Sequence, residues 1–206
     1  MNTIVKKSLS ALAAAALTAC GTLPVTFQKE KAYEIAFSSV REGKFGQLMN
    51  DYFAMVMPLA AEHGGRMAAT FRLEPPAPAA IPAQRGAFFE WPSVDAFARA
   101  TQDKRIGALL PVRNDALSNL NEANFFTVDR DTTVSFDTGR SYDIVGVNAA
   151  AAEAQRGKPG VLLVLRATNP PIGPFRPEAV LVVEAGQAAG EGAADRVRVR
   201  FNPAAQ

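Results

Sequence analysis

Between residues 86 and 117 the chain reads as a strand, a cap and an amphipathic helix in close order, and this stretch limits how the segments before it can be arranged. Residues 87 to 91 are short, aromatic and apolar. Pro92 ends the strand, Ser93 stands where it can accept from the amides of the next turn, and Asp95 lies at the positive end of a helix. Phe97, Ala98 and, past the polar stretch from Gln102 to Arg105, Leu109, Val112, Ala116 and Leu117 recur at three and four, the period of a helix lying on a sheet. Phe97 and Leu109 are therefore expected to face that sheet.

The preceding segments supply it. Tyr33, Ile35 and Phe37 alternate with Glu34, Ala36 and Ser38, the period of a half-buried strand over residues 33 to 40. Residues 41 to 63 carry a helical stripe through Phe45, Leu48, Tyr52, Val56 and Ala60, with a kink expected at Pro58, which lacks a backbone donor. Gly64 suits the left-handed turn that ends a helix, and Gly65 frees the chain to return as a strand over residues 66 to 73. Pro75, Pro76, Pro78 and Pro82 make an excursion, and residues 124 to 130 supply a fourth strand after the second helix. Strand, helix, strand, strand, helix, strand is the ferredoxin-like βαββαβ arrangement of an α+β fold, with both helices on one face of an antiparallel sheet.

Tyr52, Pro58, His63-Gly64-Gly65-Arg66, Trp91-Pro92-Ser93, Phe97 and Leu110-Pro111-Val112-Arg113 also fall in a familiar order and spacing. Over residues 32 to 128 the pattern resembles the small proteins catalogued as domain of unknown function 1330. The resemblance implies a dimeric α/β barrel, in which a second copy covers the bare face of the sheet, so a homodimer is expected of residues 32 to 130. Where that family usually has a Tyr after the break in its second helix, this chain reads Asp103-Lys104-Arg105-Ile106.

The first nineteen residues are a processing signal rather than part of the fold. Lys6 and Lys7 begin it, an Ala- and Leu-rich run follows over residues 9 to 17, and Leu17-Thr18-Ala19-Cys20 closes it. The tetrad resembles the lipobox of bacterial lipoproteins, which implies cleavage before Cys20, acylation of Cys20 and a membrane partner held through acyl chains. Gly21 in place of Asp favours the outer membrane, facing the periplasm. Residues 20 to 31 are then a lipidated tether. The whole chain has 22 Lys and Arg against 20 Asp and Glu; losing Lys6 and Lys7 leaves the two balanced, so nothing favours capture of nucleic acid. Cys20 is the only cysteine, which excludes a disulfide within one chain.

Residues 131 to 206 read as a β-rich extension. Residues 132 to 136 and 142 to 147 are strand-like around a hairpin turn at Asp137-Thr138-Gly139-Arg140, residues 149 to 156 allow two helical turns, and three more strands follow. The region is too short and too poor in helical periodicity for a full second copy of the first unit, so a fused pseudo-dimer is not expected.

Candidate chemistry is sparse. His63 is the only histidine, which excludes a clustered histidine metal site within one chain, and its place at a helix end suits capping. No metal or cofactor is expected. Glu34, Arg66, Arg72 and Glu90 form the candidate cleft set, on the sheet face opposite the helices, with an ion-pair set as their plainer reading. Arg196, Arg198 and Arg200 share a strand face, read as charge protecting an exposed edge. Two functions follow. The favoured one is a non-catalytic envelope lipoprotein with a dimerising or small-ligand-binding domain, a small apolar molecule being the ligand expected; the alternative is a cofactor-independent monooxygenase- or isomerase-like enzyme, as the barrel superfamily implies.

Overall fold

The computed structural model describes residues 21–76, 81–121, 124–168, 175–187 and 193–203. Cys20 and the signal before it, and so the lipid-anchor expectation, lie outside the described residues, as do Pro78 and the residues around Gly190.

Strand β1 (Thr22–Phe27) leads into β2 (Ala32–Val40). A helical stretch follows, made of α1 (Phe45–Gln47), a π-helical segment (Leu48–Phe53) and α2 (Ala54–Glu62). Then come β3 (Arg66–Leu73), β4 (Arg85–Trp91), α3 (Val94–Gln102), α4 (Lys104–Ala116) and two short strands, β5 (Leu117–Asn121) and β6 (Phe125–Thr127), which share one edge of β2. The second half runs β7 (Thr132–Asp137), β8 (Tyr142–Val147), α5 (Ala149–Gln155), β9 (Val161–Ala167), β10 (Ala179–Glu184) and β11 (Ala193–Phe201).

Eight strands close a barrel in the order β4-β3-β11-β8-β10-β9-β6-β2, and β2 pairs back onto β4. Every neighbouring pair is antiparallel. The two halves contribute four strands each and repeat one another. Tyr33 opposes Glu90 and Ile35 opposes Phe88 between β2 and β4; Tyr142 opposes Glu184 and Ile144 opposes Val182 between β8 and β10. Ahead of each first strand lies an outer strand, and β1 pairs with β7 about Val25 and Val134. Phe27 and Phe136 stand six residues before Tyr33 and Tyr142, and each tyrosine hydroxyl accepts a backbone N–H, from Gln28 at 2.5 Å and from Asp137 at 2.7 Å.

The barrel is filled, not hollow. Phe27, Tyr33, Phe37, Phe71, Phe88, Phe126, Phe136, Tyr142 and Phe201 lie in one buried cluster with Ile35, Ile144, Val182 and Val199. Phe136 stacks on Phe201 at 3.8 Å between ring centres, and Phe175 meets Phe37 edge-on at 5.4 Å.

Four expectations are corrected here. The chain is a fused pseudo-dimer after all: residues 131 onward complete the barrel and cover the sheet face for which a second copy was expected. The boundary at residue 130 therefore divides two halves of one barrel. The supposed tether from 20 to 31 contains β1, whose Leu23, Val25 and Phe27 are buried in the core. Residues 137–140 form a turn but no hairpin, because β7 pairs with β1 while β8 pairs with β10 and β11. Finally β11 is no edge: it lies between β3 and β8, where Arg196 and Arg198 hold the wholly buried Asp143 at 2.9 Å each and Arg200 pairs with Glu74 at 2.8 Å.

Candidate functional site

A cavity of about 570 Å³ lies between the first half's helices and the outer face of its sheet. Its position follows from alternation: while Tyr33, Ile35 and Phe37 enter the barrel, Glu34, Ala36 and Ser38 of β2 face the helices, with Thr70 and Arg72 of β3 and Arg85, Ala87, Phe89 and Trp91 of β4. The helices close over them. Ser93 caps α3 by accepting from Ala96 N–H at 3.2 Å, and Asp103 caps α4 through Arg105 N–H at 2.9 Å, so the expected single helix is two, broken at Asp103. Phe97 faces the sheet, meeting Trp91 at 5.3 Å and Phe125 at 4.8 Å, and Leu109 packs, partly buried, against the same apolar cluster. The π-helical segment puts Leu48, Met49, Tyr52 and Phe53 into the cavity wall, a use of a widened turn common at functional sites.

Register explains why, among the described residues, the space lies in the first half. By the repeat, Ala36, Ser38 and Ala87 stand where the second half has Val145, Val147 and Leu181. Those larger side chains are buried with Ala151 and Ala152 of α5 in their own cluster. Small residues leave a cavity in the first half; large ones fill the equivalent space in the second.

The cavity wall is mostly apolar and aromatic, with its charge in a few places. Arg72 and Arg85 are direct cross-strand partners, and Arg200 extends the row from β11. Arg85 is half-buried and lies over the Phe45 ring at 4.4 Å; its Nε is buried without a hydrogen-bond partner. Burial and then the charge of Arg72 pull its pKa below the ordinary guanidinium value. Among the described residues neither Arg72 nor Arg85 has a carboxylate in salt-bridge contact. Glu34, 5% exposed, is the acid of the cavity wall among the described residues, and the indole N–H of Trp91 is buried without a partner.

The four candidate cleft residues divide. Glu34, Arg66 and Arg72 line the cavity; Glu90 turns inward beside Tyr33 and makes a two-bond ion pair with Arg66, Nε to Oε1 at 3.1 Å and Nη2 to Oε2 at 2.5 Å. Tyr33, which donates to Glu90 at 3.4 Å, has its pKa pushed up to about 12, chiefly by burial. The cleft faces the helices, not the opposite side of the sheet, because that opposite side is the aromatic barrel interior. Arg85 was missed, although its two-residue spacing from Ala87, Phe89 and Trp91 places it on their face. His63 caps α2 through its backbone, and its Nε2 meets Asp103 Oδ2 at 3.2 Å, tying α2 to α4. Hydrogen bonds from Arg105 and then from His63 hold the Asp103 carboxyl far below the ordinary carboxylate range. Among the described residues no group of three His, Cys, Asp or Glu could hold a metal ion.

The fold is that of the dimeric α/β barrels, closed here within one chain. An anthrone oxidase-like protein superposes with a TM-score of 0.56 at 12% identity, over 85% of this chain and 92% of its own. A candidate monooxygenase from Lactobacillus acidophilus NCFM gives 0.47 at 11% identity, over 84% and 93%, and a candidate chlorite dismutase, TA0507, gives 0.45 at 10%, over 84% and 95%. No family model matches the chain, and no curated protein matches it by sequence. The reading favoured from the sequence, a non-catalytic dimerising or ligand-holding domain, is corrected: the chain superposes on a protein named as anthrone oxidase-like, and the enzyme alternative is carried forward.

Proposed function

We propose that this chain is an enzyme that takes a proton from an apolar, enolisable small molecule in the cavity and passes the electron pair to dioxygen, as a monooxygenase does. The observation that carries this is the Arg72 and Arg85 pair, two adjacent cations at an apolar cavity without a carboxylate in salt-bridge contact among the described residues. Such a pair stabilises an oxyanion more than its neutral parent, which is what lowers the barrier to enolate formation. Glu34 is the base. Ser38 is Arg85's partner in the ladder, so Glu34 and Arg85 lie four residues apart, or about 13 Å of strand. A Glu and an Arg side chain together span most of that, leaving room for a ring whose acidic carbon faces one and whose oxygen faces the other. The carbanion forms a C–O bond with dioxygen, the peroxide anion takes back the proton held by Glu34, and the resulting hydroperoxide loses water to leave a carbonyl; overall a CH₂ group and O₂ give C=O and H₂O. No cofactor enters this route.

Oxygen uptake with anthrone as the probe tests the reading. The expected result is stoichiometric uptake that falls about 10²- to 10³-fold in Arg85→Met and in Glu34→Gln, the size of effect seen when one oxyanion donor is removed. Uptake unchanged in both variants would refute it.

We propose also that Cys20 is acylated and holds the protein on the periplasmic side of the outer membrane; the leader and tetrad support this, and a Cys20→Ser chain should leave the membrane fraction and lose its acyl mass. Among the described residues no helix is long and apolar enough to cross a membrane. The homodimer stays a proposal, on a surface other than the barrel edges, which are paired within the chain.

A further inference from the structure

The anchor has almost no tether. Gly21, next to Cys20, is fixed to the loop after β7: its N–H donates to Thr138 Oγ1 at 3.3 Å, and its carbonyl accepts from Thr138 N–H at 2.9 Å. Strand β1 begins at Thr22 and is paired along its whole length. A diacylated residue at position 20 therefore places the 137–140 turn at the headgroups, and the barrel cannot swing away on a flexible linker.

From that turn a row of cations leads to the cavity. Arg140 has 71% of its side chain exposed and pairs with Asp137 at 3.4 Å. Next to it Ser141 accepts from Arg200 Nη2 at 3.4 Å; Arg200, which also pairs with Glu74 at 2.8 Å, opposes Arg72, and Arg72 opposes Arg85, the last two without a carboxylate in salt-bridge contact among the described residues. At about 4.8 Å between strands, Arg85 lies roughly 10 Å from Arg200. Beyond Arg85 stand Phe45 and Met49, 49% and 40% exposed, both in the cavity wall. Cations followed by exposed apolar side chains suit anionic headgroups over acyl chains.

We propose that the anchored barrel lies on an anionic bilayer along this row, with Phe45 and Met49 in the headgroup-to-acyl boundary, so that the cavity opens to the lipid phase and draws its apolar substrate from there. The proposal rests on the lipid-anchor reading given above and adds to it an orientation.

The test couples Cys20 of the chain from residue 20 onward to a maleimide lipid in phosphatidylcholine vesicles containing phosphatidylglycerol, so that seating is measured whether or not the cell acylates the protein. Tryptophan is introduced as Phe45→Trp or, on the exposed far side beyond α5, as Lys158→Trp, and the quenching by brominated lipid is compared with that of Trp91 alone. Quenching at least twofold stronger at 45 than at 158, lost when twenty Gly-Ser residues are inserted between Cys20 and Gly21, supports the proposal. Equal quenching at both positions overturns the seating and leaves the anchor standing. Absence of acyl mass on the chain taken from bacterial membranes overturns the anchor itself. A dimer of the uncoupled chain that dissociates in Phe45→Asp would put a second copy on the patch and overturn the lipid assignment.

Discussion

At the scale of single residues, Asp143 and Glu34 occupy the same place in the two halves; Asp143 lies between Arg196 and Arg198, and Glu34 lines the cavity. Burial pushes the Asp143 carboxyl up, but hydrogen bonds from Arg198 and Gly186 N–H and the two arginine charges carry its pKa below the ordinary value. Its folded-state pKa is thus depressed, so its contribution to stability is complete above the unfolded pKa of about 4 and is lost as pH falls below that. Asp143→Asn should cost about 3 kcal/mol at neutral pH, as breaking a buried ion pair does, and should flatten the acid limb of the stability profile below about pH 4. Chemical denaturation across pH measures both. Arg85→Met differs: it removes a half-buried cation with an unpartnered Nε, so the melting temperature should hold or rise while anion binding weakens. A large loss of stability would mean that Arg85 is structural. The four candidate cleft residues were legible as polar positions on strands, but their faces were not. A register irregularity between Met67 and Ala69 brings Arg66 onto Glu90, and nothing in the local alternation shows it.

At the scale of elements, the caps and periods were read from the chain and the joints were not. Ser93 caps as expected, and residues 66 to 73 and 142 to 147 are strands at the expected bounds. The π-helical segment has no signal in residue type, and Leu117 belongs to β5, not to the end of the helix, because pairing with Val40 outweighs helical period there. Gly64 takes the left-handed conformation expected of it, φ 79°. Gly65 has a different reason: a Cβ there would lie 2.4 Å from the Trp91 ring. Gly65→Ala should therefore displace Trp91, cost about 1 to 3 kcal/mol as overpacking does, and change the emission of the only tryptophan. A variant with native stability and spectrum would show that the close approach relaxes at no cost.

For the whole molecule, the second copy was hidden by what it lacks. Phe27 and Tyr33-Glu34-Ile35 recur as Phe136 and Tyr142-Asp143-Ile144 at one spacing, a repeat visible in the sequence. The repeat is hard to read because, among the described residues, the second half has only the seven-residue α5, and just residues 185–192 separate β10 from β11. Shared strand edges and a single aromatic interior make the halves one cooperative unit. Thermal unfolding followed by Trp91 emission and by backbone circular dichroism should coincide, whereas two separated transitions would show independent domains. Among the described residues, the asymmetry between a filled half and an open one leaves this cavity in the first half, lined by the only tryptophan and bordered by Arg72 and Arg85. Titrating Trp91 emission with anthracene-9-carboxylate tests that most directly. Saturable quenching at one ligand per chain is predicted, at least tenfold weaker in Arg85→Met and for uncharged anthracene; no saturation, or equal affinity in all three titrations, would contradict it.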